Sequence, residues 1–430
     1  MRVAFVHDYI KEYGGAERVL EALHEIWPNA PIFTTVYLPE FLGPHRERFR
    51  NWDIRTSFLQ YIPFKEKLIS PFRIITPFVF RIFDLSNYDI VIVSATGAYS
   101  PNGIKIKDQS PIQSGTKIKS TTQKSKVLNN NYTLYAKRYL PIHICYCHTP
   151  PRYLYGYATA RDWKKNLIFR AIGEIGNHFL RLVDFESAQN VDYFIANSKS
   201  VAGRIEKFYR RESIVIYPPI DIASSLSASS VQLKDSKLDA NLLDARRYFL
   251  AGGRLARPKH IDLIVEACRE LKVPLKVFGR GFAGYDREVK NQSPIQSGTK
   301  VKSTTQNSKI EFVGEVSDEE KLELMRNARA YIFAAEDEDF GITPVEAMGV
   351  GTPVIAYKSG GVVESLIEGK TGLFFYELTV EGLKRTIQQF NNLAINPSDC
   401  IKQAQKFSKE NFKKEIKKFV YEKFRDVIGS

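Results

Sequence analysis

Residues 338–357 read EDFGITPVEAMGVGTPVIAY, and this stretch decides the fold. Glu338 and Glu346 stand eight positions apart, with a Phe340-Gly341 turn after the first, a helix start around the second and a strand at 353–357. A loop of small residues leading into a helix N-terminus offers free N–H donors and a positive dipole end to an anionic ligand. The two carboxylates beside it can accept hydrogen bonds from hydroxyls. A ligand with phosphates in the middle and polyols at both ends satisfies all these groups. That is the chemistry of a nucleotide sugar.

Outward from this stretch, short β-branched runs alternate with amphipathic helical patterns along the whole chain. Strands are predicted at 2–7, 31–36, 89–94, 142–147 and 192–196, then at 247–252, 274–278, 310–313, 330–334, 353–357 and 372–375. Such alternation implies parallel sheets covered by helices on both faces. The α/β pattern falls into two blocks that meet at Tyr217-Pro-Pro-Ile-Asp221, whose prolines cannot continue a helix. The expected division is an N-terminal domain over 1–217, a C-terminal domain over 218–410 and a closing helix in 411–430.

A polar segment occurs twice. Residues 109–126 (QSPIQSGTKIKSTTQKSK) return at 292–309 with changes only at 118/301 and 124/307. Rich in Ser, Thr, Gln and Lys, it cannot build a core. A structural repeat would extend into its flanks, and this one stops abruptly. It reads as an element inserted twice into tolerant surface loops, in preference to a duplicated docking tag.

Apolar residues at 43% and charged residues at 26% describe an ordinary globular chain. No run approaches the ~18–20 apolar residues of a membrane-spanning helix. The start, MRVAFVHDY, reads as a buried strand and not a signal peptide, which predicts a cytoplasmic protein. Cys145, Cys147, Cys268 and Cys400 lack disulfide-framework spacing and suit reduced core positions. The net charge of +14 asks for an anionic partner. From Arg46 to Arg81, eight basic residues and three acids are interleaved with eight aromatics (Phe49, Trp52, Phe58, Tyr61, Phe64, Phe72, Phe78, Phe80). That mixture suits adsorption to anionic lipid headgroups, and equally a solvated basic face over a core cluster. No nucleic-acid module is visible, so binding to nucleic acid is not expected.

Other stretches carry possible ligand groups. Gly14 and Gly15, after the first strand and before a helix, let backbone approach a phosphate. In GGRLARPK (252–259), Arg254 and Lys259 flank a Pro-bent loop and can both face a diphosphate. His143, Cys145 and Cys147 lie on one strand face without zinc-site spacing, so no metal is expected there. His148, at that strand's end, is expected to project into a cleft. GRGFAG at 279–284 matches a dinucleotide fingerprint without the helix and acid that should follow, and Gly369-Lys370-Thr371 lacks the upstream glycine of a phosphate loop.

Taken in order, YGGAER, FDLSNYDIVIVS, HICYCHTPPRY, IANSKSVAGRI, VIYPPID, GGRLARPK, the Glu338/Glu346 pair and GTPVIAYKSGGVVE resemble glycosyltransferase family 4 (group 1). The likeness is strongest to bacterial mannosyltransferases of surface-polysaccharide synthesis. It implies a GT-B fold, two Rossmann-like domains facing each other across a cleft, with the last helix crossing back to the first domain. It further implies a retaining, metal-independent hexosyltransferase using a nucleotide-diphosphate sugar, GDP-mannose favoured, with no other cofactor. The implied acceptor is lipid-linked or a saccharide, at the inner face of the membrane. By motif, Glu338 would hold donor-sugar hydroxyls and Glu346 the ribose. Backbone at Phe340, Gly341 and Ile342 would face sugar and phosphate. Arg254 and Lys259 would neutralise the diphosphate with Gly14 and Gly15, and His148 would line the sugar subsite. The alternative is a catalytically inactive relative that keeps nucleotide-sugar affinity.

Overall fold

The computed structural model describes residues 1–105, 141–159, 167–221, 248–282, 284–292 and 310–428. The first copy of the repeated segment, nearly all of the second, and the Ser- and Asp-rich stretch at 223–239 lie outside the described residues.

The first sheet has seven described strands, all parallel, in the order β3-β2-β1-β4-β5-β6-β7. They are β1 Val3–His7, β2 Ile32–Thr34, β3 Ile54–Thr56, β4 Ile90–Ala95, β5 Ile142–Cys147, β6 Tyr193–Ala196 and β7 Ser213–Val215. The inner strands β1, β4 and β5 are buried along their whole length. That is why they read as near-continuous apolar runs in the sequence. Side-chain alternation splits them between two clusters. Ala4, Val6, Val91, Val93, Cys145 and Cys147 share one, and Val3, Phe5, Ile90, Ile92, Ile144 and Tyr146 share the other. The two cysteines are thus free thiols packed as small core side chains.

The second sheet repeats the topology with β8 Phe249–Gly252, β9 Leu275–Phe278, β10 Ile310–Gly314, β11 Tyr331–Phe333, β12 Val354–Tyr357 and β13 Gly372–Phe375. Its order is β10-β9-β8-β11-β12-β13, again parallel. Each sheet reverses its strand order next to its first strand, between β1 and β4 and between β8 and β11. In open α/β sheets ligands bind beyond the carboxyl ends of the strands at such switch points.

Five helices matter for the site: α1 Gly15–Ile26, α2 Leu167–Gln189, α3 Lys199–Tyr209, α4 Ile342–Gly349 and α5 Lys409–Ile428. The chain passes between the sheets twice, and the two passages pair. Ile220 N–H donates to Phe407 O at 3.0 Å, and Lys409 N–H to Ile220 O at 3.0 Å. After the second passage α5 buries Phe412, Ile416, Phe419 and Val420 in a core cluster of the first domain. Each such side chain contributes up to about 1.5–3 kcal/mol. Lys409 and Lys413 of α5 both reach Glu25 of α1, at 2.9 Å each.

Candidate functional site

β8 ends in Gly252-Gly253 and leads to Arg254 and the short 3₁₀ turn Arg257–Lys259. Next to it, β11 leads into the acidic loop 336–339. The loops are stitched by Glu336 N–H donating to Pro258 O at 3.0 Å. This brings the Lys259 ammonium to 2.5 Å from a Glu338 carboxylate oxygen. Lys259 also lies 4.9 Å from the Phe333 ring centroid. GRGFAG serves the same turn: a Cβ on Gly279 would sit 1.8 Å from Gly253 O, so only glycine fits there.

Helix α4 begins at Gly341, whose φ of 88° is left-handed. One turn in, the buried Glu346 receives Arg18 at 2.5 Å from the first domain and Lys321 at 2.9 Å from the helix Asp318–Arg326. Burial pushes the Glu346 pKa up, but Lys321 and Arg18 outweigh it and hold the carboxyl below its ordinary value. Arg18 also reaches Asp318 at 3.2 Å, and Lys321 reaches it at 3.1 Å. The Phe340 ring points away from these groups, between Tyr217 at 5.5 Å and Phe407 at 5.4 Å. It wedges α4 against both passages between the domains.

On the opposite side, Gly14 caps α1 and donates its N–H to Glu17 at 2.8 Å. A Cβ on Gly15 would come within 2.8 Å of the Ile342 side chain, so the glycine admits close approach of α1 to the start of α4. Glu12, in the same loop, is ion-paired with Arg254 across the cleft. His148 is buried at the end of β5, its Nε2 at 3.0 Å from Ser94 Oγ. Burial, with the charge of His7, pushes its pKa down to about 3, so the ring is neutral near pH 7.

The family model for "Glycosyl transferases group 1" matches residues 234–407. The second domain belongs to that family. Alpha-1,3/1,6-mannosyltransferase ALG2 of Dictyostelium discoideum is 26% identical over 58% of this chain. The match spans 62% of that relative's length. Sucrose-phosphate synthase from Thermosynechococcus elongatus superposes with a TM-score of 0.64 at 15% identity, covering 99% of this chain and 100% of that one. Anabaena HepE, solved with UDP and glucose, gives a TM-score of 0.59 at 17% identity, covering 98% and 99%. The whole chain therefore has the GT-B fold.

In this group 1 glycosyltransferase domain the structure brings Arg254, Lys259, Glu338 and Glu346 to the carboxyl ends of β8 and β11. Gly14 and Gly15 face them from the first domain. Within the acidic loop 336–339 the structure divides the contacts of the acids. Glu338 takes Lys259, Glu336 lies 3.6 Å from His260, and Asp339 turns to the first domain. Sequence reasoning missed the residues that hold the domains together: Glu12, Arg18, Arg152, Ser198, Arg204, Asp339 and Glu364. Asp339 is bound by Arg204 at 2.5 Å and Arg152 at 2.8 Å. Glu364 accepts from Lys199 N–H at 2.8 Å and Ser200 N–H at 3.0 Å, at the N-terminus of α3. Opposite charges this far apart in sequence give no pairing signal, although Arg152 and Arg204 lie inside the HICYCHTPPRY and IANSKSVAGRI motifs.

Proposed function

We propose that this chain is a retaining glycosyltransferase that moves a hexose, mannose first among candidates, from a nucleotide-diphosphate sugar to a lipid-linked or saccharide acceptor. The carrying observation is the Lys259–Glu338 pair beside Arg254 at the switch point of the second sheet, with Glu346 one turn into α4. Arg254 and Lys259 bind the diphosphate, Glu338 the sugar hydroxyls and Glu346 the ribose. His148, neutral, lines the sugar subsite from the first domain. The sugar C1–O bond to the diphosphate breaks and a C1–O bond to the acceptor forms on the same face. The acceptor hydroxyl's proton passes to the departing diphosphate oxygen, so no side chain has to act as general base. The two cations, in place of a divalent ion, take up the charge that develops on the leaving group. The rate comes from positioning and electrostatics.

Purified protein incubated with GDP-mannose, UDP-glucose and related donors, plus lipid-linked acceptors, tests this reading. Transfer from one donor with α-configured product is expected. Tight donor binding without transfer by any acceptor would instead identify an inactive nucleotide-sugar-binding relative.

Membrane contact belongs to the same proposal. Within 46–81 the aromatics divide, Phe49, Phe72 and Phe80 entering the core while Phe58, Tyr61, Phe64 and Phe78 stand exposed, Tyr61 at 84%. Ile74 and Ile82 are exposed beside them. Lys67 and Arg81 lie near the Phe64 and Phe78 rings, each 5.6 Å from the centroid. Exposed rings with cations over their faces suit an anionic bilayer interface. Among the described residues no helix is long and apolar enough to cross a membrane. Co-sedimentation with phosphatidylglycerol vesicles, lost in Phe64→Ser/Phe78→Ser protein and absent with neutral vesicles, is the expected result.

A further inference from the structure

We propose that Arg152, Arg204 and Asp339 form a positioning clamp that holds the Glu338 loop in its sugar-binding geometry, so that the first domain sets donor-sugar selection by the second. The inference rests on the donor-site reading above. Asp339 follows Glu338 directly, and its carboxylate is bound from the first domain by Arg204 Nη1 at 2.5 Å and Arg152 Nη2 at 2.8 Å. The same guanidiniums donate to Asp337 O, Arg152 at 2.5 Å and Arg204 at 2.8 Å. Ser198 Oγ donates to Asp339 O at 2.5 Å. Both residues flanking Glu338 are therefore gripped by the other domain, while Glu338 itself is left to Lys259.

The opposite side of the loop is equally constrained. Gly361 N–H donates to Glu338 O at 2.7 Å, and a Cβ on Gly360 would sit 2.2 Å from that oxygen. Asp337 adopts a left-handed φ of 50°, a conformation non-glycine residues keep only when their surroundings impose it. Arg204 is only 5% exposed and is oriented further by Thr149 Oγ1 at 3.0 Å and the Tyr157 ring at 4.4 Å. Thr149 follows His148, so one guanidinium touches the segments that carry both predicted walls of the sugar subsite. A clamp with these contacts acts on the sugar end of the donor. It touches neither Arg254 nor Glu346, which take the diphosphate and ribose.

That separation makes the test. Calorimetry would compare GDP with GDP-mannose, and UDP with UDP-glucose, on wild type, Asp339→Asn, Arg204→Lys and Glu338→Gln. Asp339→Asn keeps the side-chain shape and serves where the buried Arg204 cannot be changed without unfolding. Thermal melts confirm folding. Asp339→Asn is expected to leave nucleoside diphosphate affinity within about twofold, while weakening the preference for the sugar nucleotide and lowering kcat by roughly tenfold to a hundredfold. Equal loss of diphosphate and sugar-nucleotide affinity would mean a general structural role and overturn the clamp. So would normal sugar preference and kcat in Asp339→Asn while Glu338→Gln loses both. Wild type binding neither donor, or Glu338→Gln retaining full preference, would overturn the donor-site reading itself.

Discussion

Glu346 and Asp184 are both buried carboxylates, and the two domains hold them in opposite ways. Glu346 meets cations, Arg18 from the facing domain and Lys321 from its own. Asp184, on α2, meets three hydroxyls: Ser100 at 2.7 Å, Tyr155 at 2.9 Å and Tyr209 at 3.0 Å. Burial raises the Asp184 pKa to about 6 against the pull of those hydrogen bonds, whereas Glu346 is held below its ordinary value. Asp8 follows Asp184. It receives Thr96 N–H at 3.1 Å and Ala98 N–H at 3.3 Å, and burial raises it although His7 and these bonds oppose the rise. Asp184 and Asp8 thus fasten loops of the first domain through hydroxyls and backbone amides. The second arranges its carboxylates around cations, some of them borrowed across the cleft, which a ligand's charges and hydroxyls can exchange for.

The sharpest way to break this contrast is at the Arg254 cation and the Glu338 carboxylate of the second domain. Arg254→Ala and Glu338→Ala are each expected to lower kcat/KM for transfer by about 10²–10³-fold, the first by removing a donor that stabilises leaving-group charge and the second by releasing the sugar from its position. Asp184→Asn should leave the transfer rate nearly unchanged. Steady-state kinetics with the active donor reads both. Wild-type turnover in Arg254→Ala would remove the diphosphate site from this cleft.

Stability against pH separates the two domains next. A carboxyl whose folded pKa lies above its unfolded value of about 4 binds more protons when folded. Its contribution is full below the unfolded value and is lost as pH rises through about 6. Urea unfolding of wild type minus Asp184→Asn is therefore expected to fall by roughly 3 kcal/mol between about pH 4 and pH 7. Glu346 has the other sign. Its depressed pKa contributes stability above the unfolded value, lost as pH falls through the lower folded one. Glu346→Gln should cost roughly 1–3 kcal/mol at pH 7, and the gap to wild type should narrow as pH falls below the ordinary glutamate range. Parallel pH profiles for the two variants would erase the distinction.

The sequence showed more of the scaffold than of this pairing, for a physical reason. Strands β1, β4, β5 and β12 are buried in apolar runs, so both their existence and their face assignments could be read. The edge strands β3 and β7 escaped because each is only three residues long with an exposed middle residue, Arg55 and Ile214. The last helix was expected from Asn411 and begins at Lys409, where Ser408 and Ile220 bring the two passages together. Within the site, glycines and helix starts could be located because turn chemistry is local. The partners of Glu346 and Asp339 could not, since Arg18 lies 328 positions from the one and Arg204 135 from the other. Only the packed arrangement of two separately folded sheets creates those pairs.

The smallest expected effect concerns Glu12, which is ion-paired with Arg254. Arg254 sits 5.0 Å from the Phe282 ring, and desolvation, helped by Arg280, lowers its pKa against the pull of Tyr9 and Glu338. An anion there relieves charge crowding, and a diphosphate would do so better than one carboxylate. Exposed pairs of this kind hold weakly. Glu12→Gln is expected to tighten nucleoside diphosphate binding by only about threefold at low salt, with the gain shrinking as salt rises. Titration calorimetry at two ionic strengths measures it. Weaker binding in Glu12→Gln would show that Glu12 helps close the cleft over the ligand, and the Arg254–Glu12 pair would then belong with the Asp339 clamp as a contact kept through the reaction cycle.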